Sequence, residues 1–180
     1  MKRMRVLGTG SYLPERIVSN REVAGPLGIA PEAIERLTGI RERRWAAESQ
    51  ASSDLAIEAS RQALQTAGCG AGDVDAIIVS TTSPDSAFPS TACFVQRGLG
   101  CRGVAAFDVS ASCSGFLYGL SMANAMIVSG QAETCLVTAA EVKSRFLDPA
   151  DASTAVLFGD GAGAVVVRGE PDRGLNGRGV

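Results

Sequence analysis

The sequence predicts an α/β fold: a mixed, mostly parallel five-stranded sheet flanked by helices. Three observations predict it. Short, continuously apolar runs of β-branched character, such as Ala76-Ile77-Ile78-Val79, recur along the chain, as expected of strands covered on both faces. Segments with helical apolar spacing lie between them, and strands alternating with helices imply parallel β-α-β units. Finally, 46% hydrophobic and 20% charged residues in a chain of 180 match a packed domain rather than a disordered segment.

Residues 4–10 read as a buried strand followed by a glycine turn, Gly8-Thr9-Gly10. Ser19 with Glu22 three residues on has capping-box spacing, so a short helix follows. Pro31 at the first turn and Gly39 past the last bound a second short helix, and residues 40–45 form an irregular, charged strand or loop. Leu55, Ile57, Ala59, Ala63, Leu64 and Ala67 recur at near-helical spacing over residues 53–67, and Gly68 ends that helix. A buried strand at 75–80 is broken by Thr82-Ser83-Pro84-Asp85. Then come a helix at 90–99, a strand at 103–109, a long helix at 114–128 capped by Gly130, and a strand at 134–139. A glycine-rich tight turn at 158–163 leads into a last strand at 165–167, and residues 169–180 read as a linker.

Several function classes are excluded early. The 17 basic and 19 acidic residues are scattered, so no polybasic stripe is present to neutralise nucleic acid or anionic lipid. No apolar stretch approaches the ~20 residues that cross a bilayer, and no signal peptide is read at the N-terminus. Five cysteines without a C-x-x-C pair argue against a disulfide framework and against a zinc site, and suit a reducing cytoplasm. With no histidine, the chain lacks the commonest general base and metal ligand.

One cysteine stands out. Around Cys113 a strand runs through a turn of small residues, Ser110-Ala111-Ser112, into the helix that starts near it. The positive end of a helix favours a thiolate, the nucleophilic form of cysteine. Ser112, Ser114 and Gly115 leave room for an acyl thioester, and the Cys113 N–H is available to an oxyanion. The competing reading is one more buried cysteine, the default for a small apolar side chain.

Five blocks carry a family resemblance: Gly8-Thr9-Gly10-Ser11-Tyr12-Leu13-Pro14, Thr38-Gly39-Ile40-Arg41-Glu42-Arg43, Ala87-Phe88-Pro89-Ser90, Phe107-Asp108-Val109 leading to Cys113-Ser114-Gly115-Phe116, and Phe158-Gly159-Asp160-Gly161-Ala162-Gly163-Ala164. In order and spacing they resemble the β-ketoacyl-acyl-carrier-protein synthase III proteins of the thiolase superfamily. The resemblance implies one half of a thiolase-like fold: residues 1–168 as the N-terminal half carrying the nucleophile, and 169–180 as a linker toward a second half.

It also implies an activity. An acyl thioester acylates Cys113, and malonyl-carrier protein then loses carbon dioxide and condenses with the acyl group, starting a fatty-acid or polyketide chain. No metal or redox cofactor is implied. The implied partners are a second copy of the chain, an acyl-carrier protein and a small acyl thioester, with no nucleic acid and no membrane. The family's decarboxylating histidine and asparagine belong to the second half, so the 180-residue chain alone is expected to lack condensing activity. The helix after Cys113, with Phe116, Leu117, Tyr118, Leu120, Met122, Met126, Ile127 and Val128, is apolar nearly all round. It is therefore expected to be buried on all sides, packed against its counterpart from that second half, and the chain standing alone to expose a large apolar patch.

The same resemblance gives four further residues a role. Phe88, otherwise a core plug, caps the partner's acyl pocket. Phe158 lines the site beside Cys113. Arg41, otherwise with Arg43 a solvated charge cluster, borders the phosphopantetheine entrance, and Arg36 neighbours a position that binds CoA phosphate. Three positions depart from the family: Ala33 replaces an adenine-stacking Trp, and Leu37 and Ala152 replace CoA-binding arginines. Such losses remove on the order of 1–3 kcal/mol of adenine recognition and point toward carrier-borne primers. A thiolase-fold acyltransferase to an O or N acceptor keeps Cys113 with a different second step, and a non-catalytic half-protein scaffold is the non-enzymatic alternative.

Overall fold

In the computed structural model, which describes residues 2–171, the alternation of strands and helices closes into one principal sheet. The strands are β1 (Lys2–Tyr12), β2 (Arg16–Ser19), β3 (Glu42–Trp45), β4 (Ala76–Ser80), β5 (Ala105–Val109), β6 (Thr134–Val142) and β7 (Asp160–Pro171). The helices are α1 (Asn20–Leu27), α2 (Pro31–Thr38), α3 (Ser52–Ala67), α4 (Thr91–Leu99), α5 (Gly115–Val128) and α6 (Ala152–Ala155). The sheet is five-stranded in the order β1-β7-β6-β4-β5, with β2 and β3 forming a separate two-stranded ribbon. β4 pairs parallel with β5 and β6, and β7 runs antiparallel to β6 and β1.

Alternation along β4 explains why it is buried at every position. Ile77 and Val79 face a core with Ala56, Ala59 and Ala63 of α3 and Val95 of α4. Ala76 and Ile78 face the opposite core, with Ala123 and Ile127 of α5. A third cluster joins Val18, Val23, Ile34 and Ala155, which seats the β2/β3 ribbon and α1 beside α6.

Local signals set the helix ends as the sequence indicates. Ser19 N donates to Glu22 Oε2 at 2.9 Å and Glu22 N to Ser19 Oγ at 3.4 Å, a reciprocal capping box. Gly39 and Gly68 close α2 and α3 in the left-handed region at φ 73° and 65°.

Two glycine segments correct the expectation of turns. Gly8 and Gly10 lie inside β1 because α3 presses on them: an added Cβ would come 2.5 Å from Ala63 O and 2.2 Å from Ala59 O. In the 158–163 segment none of the glycines has a positive φ, and from Asp160 the chain is already in β7. That strand runs on to Pro171, so Gly169 to Pro171 belong to the sheet rather than to a linker. The rest of the expected linker, 172–180, lies outside the described residues. Among the described residues no helix is long and apolar enough to cross a membrane.

Candidate active site

After Val109 the chain passes through Ser110 and Ala111 into one turn of 3-10 helix, Ser112–Ser114, and α5 begins at Gly115. Cys113 thus sits two positions ahead of α5. Ser114 N donates to Ala111 O at 3.1 Å and Gly115 N to Ser112 O, which winds the turn tightly. Ser112 has a φ of 47°, the one positive value at a non-glycine residue among the described residues. A side chain in that region costs about 1–3 kcal/mol and persists only where the surroundings fix it.

The fixing contacts come from α5. A Cβ at Gly115 would lie 2.1 Å from Ser80 Oγ, and one at Gly119 would lie 2.9 Å from Val137 Cγ1. With Ala123 and Ile127 these glycines form the buried face of the helix, and they bring its N-terminus against the carboxyl end of β4. Open α/β sheets bind ligands outside the carboxyl ends of their parallel strands. Cys113 is exposed there, so the buried-cysteine alternative is wrong for this residue. Cys101 and Cys135 do fit that alternative. Burial raises both thiols, that of Cys135 to about 11 with the negative charge of Asp75 adding to the effect.

The opposite face of α5, with Leu117, Tyr118, Met122 and Val128, is exposed. The small-residue stripe and this apolar stripe explain how a helix apolar nearly all round is buried on one side only within the described residues.

Phe88 lies in the β4–α4 loop and is 89% exposed, which corrects the core-plug reading. The loop that presents it is held at both ends. Asp108 of β5 accepts from Thr91 N at 2.7 Å and Ala92 N at 2.8 Å. Ser53 Oγ bonds the Asp85 carboxylate, and Glu141 accepts from Thr82 N at 2.8 Å and from Ser83 Oγ. Thr81 N donates to Val109 O at 3.3 Å, joining this loop to the strand that leads to Cys113.

The arginines divide. Arg41 is exposed and pairs with Glu35 of α2 at 2.8 Å, and Arg36 is exposed in the last turn of the same helix. Ala33 is half-buried, while Leu37 and Ala152 are exposed. Arg43, by contrast, is 6% exposed, so its reading as a solvated charge is overturned. Its Nη2 donates to Asn20 Oδ1 at 2.8 Å and Val156 O at 3.1 Å, and its Nη1 to Val18 O at 3.4 Å. Burial pulls this guanidinium below its ordinary value.

Phe158, 42% exposed, stands between that bond and Asp160. The buried Asp160 carboxylate accepts from Ala46 N at 2.7 Å, Ser144 N at 2.8 Å and Ser144 Oγ at 2.6 Å. Sequence reasoning missed Asp108, Glu141 and Asp160 as organisers of this edge. The available signal was three acidic residues in or next to otherwise apolar strand runs, where a carboxylate needs donors.

Comparison with known proteins gives a consistent set of matches. The family model for 3-oxoacyl-[acyl-carrier-protein (ACP)] synthase III matches residues 107–177. A β-ketoacyl-[acyl-carrier-protein] synthase III of Xanthomonas campestris pv. campestris is 50% identical over 171 residues, covering 95% of this chain and 53% of the relative. The crystal structure of 3-oxoacyl-[acyl-carrier-protein] synthase III from Aquifex aeolicus superposes with a TM-score of 0.90 at 44% identity, over 96% of this chain and 55% of that one. The priming β-ketosynthase of the R1128 polyketide pathway gives a TM-score of 0.90 at 40% identity, over 94% and 51% of the two chains. The chain spans about half the length of the curated relatives it matches.

Proposed function

We propose that this chain, which is similar to 3-oxoacyl-[acyl-carrier-protein] synthase III proteins over 95% of its length, belongs to that family and is the thiolase-like portion that accepts the acyl primer, with Cys113 as nucleophile. The observation that carries this reading is an exposed thiol two residues ahead of a helix, directly after the strained Ser112, at the carboxyl edge of parallel strands. Strain of this kind concentrates where a reacting group must be held out.

The first step is attack of the Cys113 sulfur on the carbonyl of an acyl thioester. A thioester forms on Cys113 and the donor thiol leaves with the proton. The N–H of Cys113 is the donor offered to the developing oxyanion, since the Ser114 and Gly115 N–H groups close the turn. In the second step malonyl-carrier protein loses carbon dioxide, the resulting carbanion attacks the acyl carbon, and the Cys113 sulfur departs as a thiolate that takes a proton from solvent. With no histidine among 180 residues, the groups that drive decarboxylation come from outside this chain, and the chain alone has no condensing activity.

The exposed Phe88 on its pinned loop supports a homodimer in which it caps the partner's acyl pocket, and Phe158 lines the site beside Cys113, on the path by which the donor thioester arrives. Arg41 borders the entrance of the phosphopantetheine arm, and Arg36 neighbours the position that binds CoA phosphate. Ala33, Leu37 and Ala152 offer neither an aromatic face nor a cation to an adenine, which favours an acyl-carrier protein over CoA as donor. No cofactor is required, and the five free thiols suit a reducing cytoplasm.

Intact-mass spectrometry after incubation with acyl thioesters of increasing chain length tests the assignment. A single acyl adduct that maps to Cys113 and is absent in Cys113→Ser is the expected result, because serine has no comparable anionic population near neutral pH. An adduct on any other cysteine refutes it.

A further inference from the structure

The excursion between β6 and β7 leaves the sheet at Val142, returns at Asp160, and is closed at its base by the register pair Val142↔Asp160. Lys143 bonds Thr82, and Ala155 packs with Val18, Val23 and Ile34, but the polar ties nearest Phe158 come from β3 and the residues just after it. Arg145 Nη2 donates to Ala47 O at 2.7 Å and Gln50 O at 2.5 Å. Asp160 takes the N–H of Ala46. Arg43 reaches Val156 O, two residues before Phe158. Gly159 lets the chain approach closely here, since an added Cβ would lie 3.0 Å from Arg43 Cβ and 3.1 Å from Arg44 O. Phe158 is therefore bracketed by the Arg43 bond to Val156 on one side and the Asp160 bonds on the other.

Arg43 is an expensive choice for a purely structural tie. Its guanidinium is buried, its acceptors are one amide and two carbonyls, and the nearby negative charge is Glu22. A charge buried without a directly bonded carboxylate is weak evidence for stability. Its fork does something an apolar side chain cannot: one planar group fixes Val18, Asn20 and Val156 relative to one another.

We infer that Arg43 is a positioning residue, acting through Val156 O and Gly159 to set Phe158 for passage of the acyl donor to Cys113. The inference rests on the proposed placement of Phe158 along the donor path. Arg43 touches neither substrate nor thiol, so it should act on donor binding and leave the intrinsic reactivity of the thiol alone.

The test uses the native gene product as parent, with Arg43→Lys, Phe158→Ala and the double variant. Lysine keeps the charge but cannot fork to three acceptors. Acylation of Cys113 is followed by intact mass over a range of thioester concentrations, beside alkylation of the same thiol by iodoacetamide, which needs no donor path. Arg43→Lys should raise the half-saturating thioester concentration roughly tenfold with alkylation unchanged, and the double variant should match Phe158→Ala alone. Gly159→Ala pushes on the same contact from the other side, should reproduce the rise, and replaces Arg43→Lys in the cycle if that variant does not fold. Additive effects of Arg43→Lys and Phe158→Ala, or parallel losses of acylation and alkylation, overturn the inference. If only Phe158→Ala moves the half-saturation, the donor-path reading stands and the inference about Arg43 is wrong. If neither moves it, the placement of Phe158 is wrong and the inference falls for that reason.

Discussion

Gly115 lies against Ser80 so closely that a Cβ on the glycine would meet the serine Oγ at 2.1 Å and its Cβ at 3.2 Å. Ser80 is buried at the end of β4, so the side chain cannot simply swing away. Gly115→Ala should lower stability by about 1–3 kcal/mol, as overpacking does, and displace the Cys113 turn. Thermal denaturation reads the first effect. A fall of roughly tenfold or more in the rate of Cys113 acylation reads the second.

Thiol chemistry should separate the cysteines without any mutation. At neutral pH iodoacetamide should modify exposed Cys113 well before Cys135, whose thiol burial pushes up to about 11, because only the thiolate reacts. The folded state prefers the neutral Cys135 thiol, so its contribution to stability is complete below the unfolded value. That contribution is lost as pH rises through the folded one. Denaturant titrations should accordingly show stability declining from about pH 8.5 toward about 11, and Cys135→Ala should flatten that decline. Peptide mapping that finds Cys135 labelled first in the folded protein would contradict the burial argument.

Asp108→Ala removes the acceptor of two buried N–H groups, those of Thr91 and Ala92. Leaving them unpaired should cost about 1–3 kcal/mol, with faster amide exchange over α4 and the loop before it. Exchange unchanged in that region would show that the cap is not what holds the loop.

Phe88→Ala should be nearly silent in stability, within about 0.5 kcal/mol, because an exposed side chain contributes little within its own chain. It should nevertheless lengthen the acyl chains accepted on Cys113 in the proposed homodimer. A large fall in melting temperature with no change in chain length would return Phe88 to a structural role.

The donor can be tested in the same assay. If Ala33, Leu37 and Ala152 leave adenine without a stacking or cationic partner, an acyl-carrier protein should acylate Cys113 faster than the same acyl group on CoA. Equal rates would restore CoA as a donor.

Much of this molecule was legible in its sequence where one residue type has one use. Pro31 opens α2, Gly39 and Gly68 close helices in the left-handed region, and the apolar run of β4 lies between two cores. Glycine misled where it served close approach instead of turning: Gly8, Gly10 and Gly159 sit beside backbone or Cβ atoms of distant elements, which no local pattern reveals. Arg43 misled for a related reason, since its burial depends on acceptors in α1, β2 and the segment before β7. The strand-turn-helix around Cys113 was visible locally, but the left-handed Ser112 and the contact with Ser80 are tertiary facts.

β5 is the outermost strand of the sheet on its side, and only its five residues and a short turn separate that border from Cys113. The opposite border, β1, is separated from β5 by three strands of the sheet, yet its Met4 packs in the same core as Ala123 and Ile127 of α5, the helix that Cys113 precedes. The thiol is thereby tied to both borders, to β5 along the chain and to β1 through the buried face of α5.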